Sequence, residues 1–172
     1  MRGPRVGGDT TRRLILLRHA KSDWPDVPDR DRPLAKRGRR DAPVIGRWLH
    51  DRGYQPQIVI CSAARRTRQT WDLVAPELGG SPSVTFEPRA YAASAITLLY
   101  LVRELPTACH SALLIGHNPG VSELASNLLE AAGDESLAHP ARLFVQVNQL
   151  SEDQIDAALS GDLAIAGLKF AR

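Results

Sequence analysis

Apolar residues along this chain fall into two kinds of pattern. Residues 14–17, 58–61 and 112–115 are runs of four consecutive apolar residues, and residues 84–86 form a shorter strand-like run. Such runs are typical of strands that are buried on both faces. Between them, apolar residues recur three and four positions apart, which predicts amphipathic helices. The alternation of strands and helices predicts an α/β fold, a three-layer α/β/α sandwich with a mostly parallel central sheet.

Turn-forming residues delimit the predicted helices. The first helix is predicted over residues 34–53, and Pro43 inside it indicates either a later start or a kink, because proline lacks a backbone N–H. Ser62 is placed to cap the second helix, which is predicted to end near Gly79. A third helix is predicted over residues 94–104.

The C-terminal part of the chain begins with a clear helix start and then becomes harder to interpret. Asn118 as the N-cap and Pro119 at the first helical position predict a fourth helix. Beyond it, residues 143–147 and 163–170 have the pattern of strands, and residues 153–159 that of a short helix.

The composition is that of one soluble globular domain. The chain has 172 residues, 43% hydrophobic and 24% charged, and no apolar run is long enough to cross a membrane. We expect a single domain over residues 14–172. Residues 1–13 contain four arginines among glycines and no apolar core of a signal peptide, so we expect a flexible basic tail. With only two cysteines, a reducing, cytoplasmic setting is expected, with one disulfide as the alternative.

The charge and the polar residue types narrow the candidate partners. A formal net charge of +3 and a pI near 9.2 suit an acidic or phosphorylated partner. Nucleic acid is a weaker candidate, because the three Trp, three Tyr and three Phe residues do not interleave with basic residues. The five histidines include no pair four residues apart and no cysteine cluster accompanies them, so we predict no metal site.

Basic side chains follow three of the predicted strands. Arg18 and His19 follow the first strand, Arg66 lies in the first turn after the second, and His117 follows the strand at residues 112–115. Because the carboxyl ends of parallel strands meet at one edge of a sheet, these four side chains are expected to share a pocket. Two guanidinium groups suit a phosphoryl group, whose oxygens they bind in pairs.

A histidine in such a pocket has a chemical role of its own. Neutral imidazole is a nucleophile toward phosphorus, and neighbouring cations favour the neutral form. We therefore predict His19 as the nucleophile, with Arg18, Arg66 and His117 holding the phosphoryl oxygens and neutralising their charge.

These residues also carry a resemblance. The Leu-Leu-Arg-His-Ala segment at residues 16–20 resembles the Arg-His-Gly signature of the histidine phosphatase superfamily, with alanine in the glycine position. Residues 31–38, 61–70 and 115–120 are similar to further blocks of the family in the same order. The Arg-His-Ala-Lys-Ser and Gly-His-Asn-Pro segments are most similar to its SixA-type branch, bacterial protein-phosphohistidine phosphatases.

The resemblance carries expectations about fold and activity. It implies a phosphoglycerate mutase-like fold and a metal-independent phosphohydrolase without a cofactor. It also implies that His19 is phosphorylated during turnover, with Arg18, Arg66 and His117 around the phosphate. The implied substrate is a histidine-phosphorylated protein.

Further substrate-binding residues are predicted near these four. Residues 21–33 read as a long loop, from which Lys21 and Ser22 could donate to phosphate or only line the mouth of the pocket. Asn118 could touch the substrate, although its role as a helix cap would explain it equally well.

The sequence does not identify one residue as the general acid. Larger family members use a glutamate, and Glu87 lies in a comparable region, with a solvated carboxylate at a strand end as the alternative. Asp23 and Asp31 on the loop are further candidates, with turn formation as their alternative role. Weak acid machinery would favour a phosphoimidazole substrate, because protonated phosphohistidine releases neutral imidazole unaided, whereas an alkoxide needs a proton.

Four other functions remain open. A phosphatase of the same superfamily acting on small phosphate esters, or a mutase, would use the same nucleophile. A non-catalytic phospho-binding module would keep Arg18 and Arg66 but need no nucleophile. A basic nucleic-acid-binding protein is the fourth possibility.

Overall fold

The computed structural model describes residues 13–132 and 144–147. The predicted basic tail, apart from Arg13, and the predicted elements at residues 153–159 and 163–170 lie outside these ranges. The described strands and longer helices, in chain order, are β1 (Arg13–Arg18), α1 (Lys36–Asp51), β2 (Ile58–Ser62), α2 (Arg65–Leu78), β3 (Ser83–Glu87), α3 (Ala95–Arg103), β4 (Ser111–Gly116), α4 (Gly120–Ala132) and β5 (Phe144–Val147). Two short 3-10 helices cover Asp29–Asp31 and Pro88–Ala90.

The described strands form one parallel sheet in the order β3-β2-β4-β1-β5. This confirms the α/β class and the predicted strands that lie in the described ranges. β1 lies between β4 and β5, with Leu16 opposite Leu114 and Arg18 opposite Gly116. The carboxyl ends of β1 and β4 are therefore adjacent, as the candidate site requires.

Alternate residues of β1 face two separate cores, which explains why the apolar run has no polar member. Ile15 and Leu17 pack into the core beneath α1 and α2. Leu14 and Leu16 pack into the core beneath α3 and α4. A strand buried on both faces between helical layers reads as a continuous apolar run, and the three-layer sandwich is thus confirmed.

Helix α1 continues through Pro43 instead of starting after it. It begins at Lys36 and continues through Pro43 to Asp51, so the predicted start at residue 34 is two residues early, and the alternative of a start after the proline is wrong. Its apolar face, which includes Ala42 and Leu49, is buried against the sheet. This burial offsets the one backbone hydrogen bond that a proline removes.

Both predicted helix caps are wrong. Ser62 belongs to β2, and the residue at the N-cap of α2 is Ala64, with no side-chain cap. α4 begins at Gly120, so Pro119 is not its first residue. Asn118 precedes Pro119 across a cis peptide bond, and its Oδ1 atom is buried with no hydrogen-bond partner among the described residues. The Ser62 hydroxyl lies 2.7 Å from His117 Nε2 and accepts from the Ala64 backbone N–H only at 3.5 Å.

Cys61 and Cys109 are both buried free thiols, so the alternative of a disulfide is wrong. Burial raises the pKa of the Cys61 thiol to about 12, which keeps it protonated and unreactive. Within the described ranges, no helix combines the length and the apolar character needed to cross a bilayer.

Candidate active site

The two predicted histidines meet at the carboxyl ends of β1 and β4. The backbone N–H of His19 donates to the carbonyl of Gly116 at 3.1 Å, which continues the β1–β4 pairing by one residue. The His19 and His117 rings lie 5.2 Å apart between centroids, and both residues are buried. Parallel pairing therefore brings together two side chains that lie 98 positions apart in the sequence.

The His19 ring is held in one orientation and one tautomer. Nδ1 lies 2.7 Å from the Ala20 carbonyl oxygen, and because a carbonyl only accepts, Nδ1 carries the hydrogen. Nε2 then has the free lone pair, and it accepts a hydrogen bond from Arg66 Nε at 3.3 Å. Burial lowers the pKa of His19 to about 4, and the charges of Arg66 and Arg18 act in the same direction. At neutral pH this ring is an uncharged base with its lone pair inside the pocket.

His117 has a different partner. Its Nε2 lies 2.7 Å from the hydroxyl oxygen of Ser62, which is fully buried at the end of β2. Its Nδ1 is buried and has no partner among the described residues. If the Ser62 hydroxyl donates to Nε2, the ring hydrogen is on Nδ1, which is then available to a ligand. Burial, and then the nearby His19, lower the pKa of His117 to about 3.

Arg66 lies in the first turn of α2 with a nearly buried side chain. While Nε points at His19, Nη1 donates to the Asp29 backbone carbonyl at 2.6 Å and Nη2 to the Asp29 carboxylate at 3.0 Å. The guanidinium plane is fixed along both edges. Asp29, 37 positions earlier in the sequence, thus determines which edge of the Arg66 guanidinium faces His19.

Asp29 and Tyr91 are site residues that the sequence analysis missed. The Asp29 carboxylate accepts from Tyr91 Oη at 2.7 Å and from Arg32 Nη1 at 2.9 Å, as well as from Arg66. These hydrogen bonds, that of Tyr91 first, hold the pKa of Asp29 well below its usual range, so it stays ionised. The Tyr91 ring stands edge-on to the His117 ring, with centroids 5.6 Å apart.

Arg18 completes the basic group at the end of β1. Burial, and then the charge of Arg66, lower its pKa from the usual arginine value, and the Arg18 charge also acts on His19 and His117. Its Nε is buried with no hydrogen-bond partner in the described part of the chain. Arg18 Nε and His117 Nδ1 are thus two buried groups suited to donate to a bound anion.

The other predicted binding residues lie at varied positions. The Lys21 side chain is exposed, and its backbone packs against Gly38 of α1. The hydroxyl of Ser22 is buried and accepts a hydrogen bond from Arg32 Nη2 at 2.8 Å, so it is already engaged. Asn118 directly follows His117, with its Oδ1 buried. Contacts of these three residues with phosphate remain predictions.

The predicted general acids are less well suited than expected. Glu87 accepts hydrogen bonds from the Arg89 side chain and backbone, which lower its pKa, whereas an acid catalyst needs a raised one. Asp23 and Asp31 are exposed on the loop. No group of three or more metal-ligand side chains occurs among the described residues.

The chain is similar in sequence to several known proteins. Residues 14–90 match the model of the Histidine phosphatase superfamily (branch 1). An uncharacterized chloroplastic protein of Arabidopsis thaliana is 37% identical over 133 residues, which are 71% of this chain and 61% of that protein. An uncharacterized protein of Mycobacterium tuberculosis (strain CDC 1551 / Oshkosh) is 35% identical over 121 residues, which are 70% of this chain and 74% of that protein.

A solved structure extends the match to the fold. A protein from Agrobacterium tumefaciens described as a candidate phosphohistidine phosphatase SixA superposes with a TM-score of 0.61 at 32% identity. The superposition covers 72% of this chain and 79% of that one. Because residues 14–90 match the family model and the Agrobacterium protein is 32% identical with 79% of its chain covered, the chain belongs to the histidine phosphatase superfamily.

Proposed function

We propose that this protein is a phosphatase that removes phosphate from phosphohistidine in a protein, through a phosphohistidine intermediate on His19 and without a metal or cofactor. The observation that carries the proposal is the His19 ring, which is buried and neutral, with Nδ1 fixed by Ala20 and Nε2 directed into a pocket of arginines. The resemblance to the Agrobacterium protein supports the same substrate class.

In the first step, His19 Nε2 attacks the phosphorus atom opposite the leaving nitrogen. The N–P bond to His19 forms while the substrate N–P bond breaks, and its electron pair returns to the substrate imidazole. Arg18, Arg66 and His117 donate to the phosphoryl oxygens, where positioning and charge stabilisation supply most of the catalysis in phosphoryl transfer.

This exchange needs no general acid. A substrate phosphohistidine that is protonated on its other nitrogen leaves as neutral imidazole. His19, with its hydrogen on Nδ1 and the phosphoryl group on Nε2, then carries the positive ring charge that the substrate ring has lost. The Asp29 carboxylate beside Arg66 is ionised and therefore has no proton to give. A phosphate ester would leave as an alkoxide, which requires a proton in the transition state. The site chemistry thus favours an N–P substrate.

In the second step, water attacks phospho-His19. The N–P bond breaks, its electron pair returns to Nε2, and both water protons stay on the inorganic phosphate that is released. His19 returns to its neutral form, which its low pKa favours. As part of this proposal, the two free buried thiols suit a reducing, cytoplasmic setting.

The test compares phosphate release by wild type and His19→Ala, without added metal, from a histidine-phosphorylated protein and from p-nitrophenyl phosphate. We expect faster release from phosphohistidine, an acid-labile phosphoenzyme in wild type, and loss of both with His19→Ala. His110→Ala, which changes an exposed histidine, is the matched control. Faster ester cleavage would instead indicate a small-molecule phosphatase. Phosphate binding without any release would indicate a binding module.

A further inference from the structure

Trp24 is a large aromatic residue that folding leaves in solvent. The residue is 76% exposed, whereas Trp48 and Trp71 are buried in the core between α1, α2 and the sheet. Trp24 lies in the loop between β1 and α1, two residues after Ser22. Large exposed aromatics on a rigid support are typical of protein contact sites.

The indole has such a support. The guanidinium carbon of Arg32 lies 3.1 Å from the Trp24 ring centroid, so the two groups are stacked. Arg32 is itself buried, and it donates to the Asp23 carbonyl through Nε, to Asp29 Oδ1 through Nη1 and to Ser22 Oγ through Nη2. Every edge of the guanidinium is held, and the stacked ring is therefore presented in one orientation.

This support is continuous with the active site. Asp29 accepts from Arg32 on Oδ1 and from Arg66 on Oδ2, and Arg66 Nε donates to His19. Only Arg32, Asp29 and Arg66 separate the indole from the nucleophile. Trp24 thus lies beside the phosphate pocket without being part of it.

The local chemistry indicates what contacts the outer face of the ring. The outer face of the indole is apolar, and the Arg32 charge behind it is paired with the Asp29 carboxylate, which Arg66 also shares. The exposed Val27 in the same loop adds apolar surface. Free phosphohistidine offers only its own side chain and backbone, whereas a folded protein carries further side chains around its phosphorylated residue.

We infer that Trp24 is a docking platform on which apolar side chains around the phosphohistidine of a substrate protein pack. This inference rests on the proposed function and adds to it the recognition of the protein carrier. Because the ring is already fixed, docking loses little side-chain entropy, which favours a strong contact.

The experiment compares two substrates that share the same scissile bond. One is free phosphohistidine, and the other is a small tryptophan-free protein phosphorylated on histidine with phosphoramidate. We expect Trp24→Ala to lower kcat/KM for the protein about tenfold, mainly through KM, a size common for a central aromatic contact. Turnover of free phosphohistidine should stay within about twofold, since the indole does not touch the phosphate pocket.

Two further variants identify the cause. Trp24→Phe keeps a ring on Arg32 and should retain most of the activity on the protein. Tyr100→Ala removes another exposed aromatic, on α3, and should change the turnover of neither substrate.

A binding measurement uses His19→Ala, which leaves the substrate intact. The phosphorylated protein should protect Trp24 fluorescence from acrylamide quenching, and the signal reports Trp24 because the other two tryptophans are already buried.

Several results would overturn the inference. An equal loss on both substrates would mean that Trp24 only holds Arg32 and Asp29 in place. Trp24→Ala that hydrolyses the phosphorylated protein as fast as wild type would also contradict it. So would protection of Trp24 fluorescence from acrylamide by an oligonucleotide and not by the phosphorylated protein. If wild type hydrolyses neither phosphohistidine substrate, the proposed function itself fails, and that result is distinct from a failure at Trp24.

Discussion

His19 and His117 are in contact with each other, but their different hydrogen-bond partners leave a different ring nitrogen available on each. The carbonyl of Ala20 fixes the hydrogen of His19 on Nδ1 and leaves a lone pair on Nε2. At His117, Ser62 occupies Nε2 and leaves Nδ1 facing away from it. The hydrogen-bond partner of one ring nitrogen determines what the other nitrogen can do. One ring is thereby suited to attack phosphorus and the other to bind its oxygens.

Ser62→Ala should therefore impair catalysis although Ser62 touches no substrate. Without the hydroxyl, His117 can place its hydrogen on Nε2 and lose its donor at Nδ1. We expect kcat/KM to fall about tenfold, which corresponds to roughly 1.4 kcal/mol, in the range of one hydrogen bond. Steady-state kinetics on phosphohistidine tests this.

Ser111→Ala is the control for that measurement. Ser111 begins β4, and its buried hydroxyl has no hydrogen-bond partner among the described residues. The variant should retain full activity. A similar loss in both variants would contradict a specific role of Ser62. A pH profile of kcat/KM that shifts in Ser62→Ala alone would support one.

Glu87 should contribute no acid catalysis. Arg89 lies between Glu87 and Glu104 and pairs with both, and it lowers the pKa of each carboxyl. Glu87→Gln should therefore leave the hydrolysis of p-nitrophenyl phosphate within about twofold of wild type, as expected for a residue outside the reaction. Glu104→Gln controls for the loss of the ion pair. A marked loss in Glu87→Gln alone would restore Glu87 as the acid.

At the scale of elements, two glycines of α1 let backbones approach closely. A Cβ at Gly38 would collide with the backbone of Lys21, two residues after His19. A Cβ at Gly46 would lie 2.6 Å from the Val74 carbonyl oxygen of α2. Gly38 therefore sets the distance from α1 to the segment that follows His19, and Gly46 sets the distance from α1 to α2.

Alanine at these two positions should separate stability from activity. In an open helix, glycine to alanine is stabilising by about 1 kcal/mol, but the backbone collisions outweigh this gain, and we expect a loss of roughly 1–3 kcal/mol in each variant. Urea unfolding measures that loss. Only Gly38→Ala should also lower kcat/KM, since only Gly38 touches the segment that follows His19. Equal activities of the folded variants would contradict this division.

The same elements show how far the sequence could predict the molecule. β1, β2 and β4 were predictable because central parallel strands are buried on both faces, so each contains an uninterrupted run of four apolar residues. The convergence of Arg18, His19, Arg66 and His117 followed from the shared edge of the sheet. Ser62 was misassigned because a polar residue at a strand end fits both a helix cap and an inward contact.

Asp29 could not be identified in this way. The loop contains Asp23, Asp26, Asp29 and Asp31, all compatible with turns, and no local pattern distinguishes them. Only the packing of the loop against α2 selects Asp29, because it brings that carboxylate to Arg66. Tyr91 joins the site by donating its hydroxyl hydrogen to the same Asp29 carboxylate. A lone tyrosine after a turn carries no sequence signal for such a role.

At the scale of the whole molecule, the site couples folding to pH. Both histidines are uncharged in the folded protein because burial and nearby cations oppose their protonation. In the unfolded chain, each would titrate near 6.5. Between that value and the folded pKa values of about 4 and about 3, the unfolded state binds more protons. Stability must then decrease as the pH falls through this range.

His19→Asn should weaken this dependence. Asparagine keeps a polar side chain that does not titrate, so the free energy of unfolding should fall less between pH 7 and pH 4.5 than in wild type. The difference in that fall approaches roughly 2.4 kcal/mol if His19 keeps its full shift, and it is smaller if the loop opens first. Urea unfolding at several pH values measures it. His110→Asn, which changes an exposed histidine, should retain the dependence of wild type. If His19→Asn does so as well, His19 is not the buried neutral base on which the proposed reaction depends.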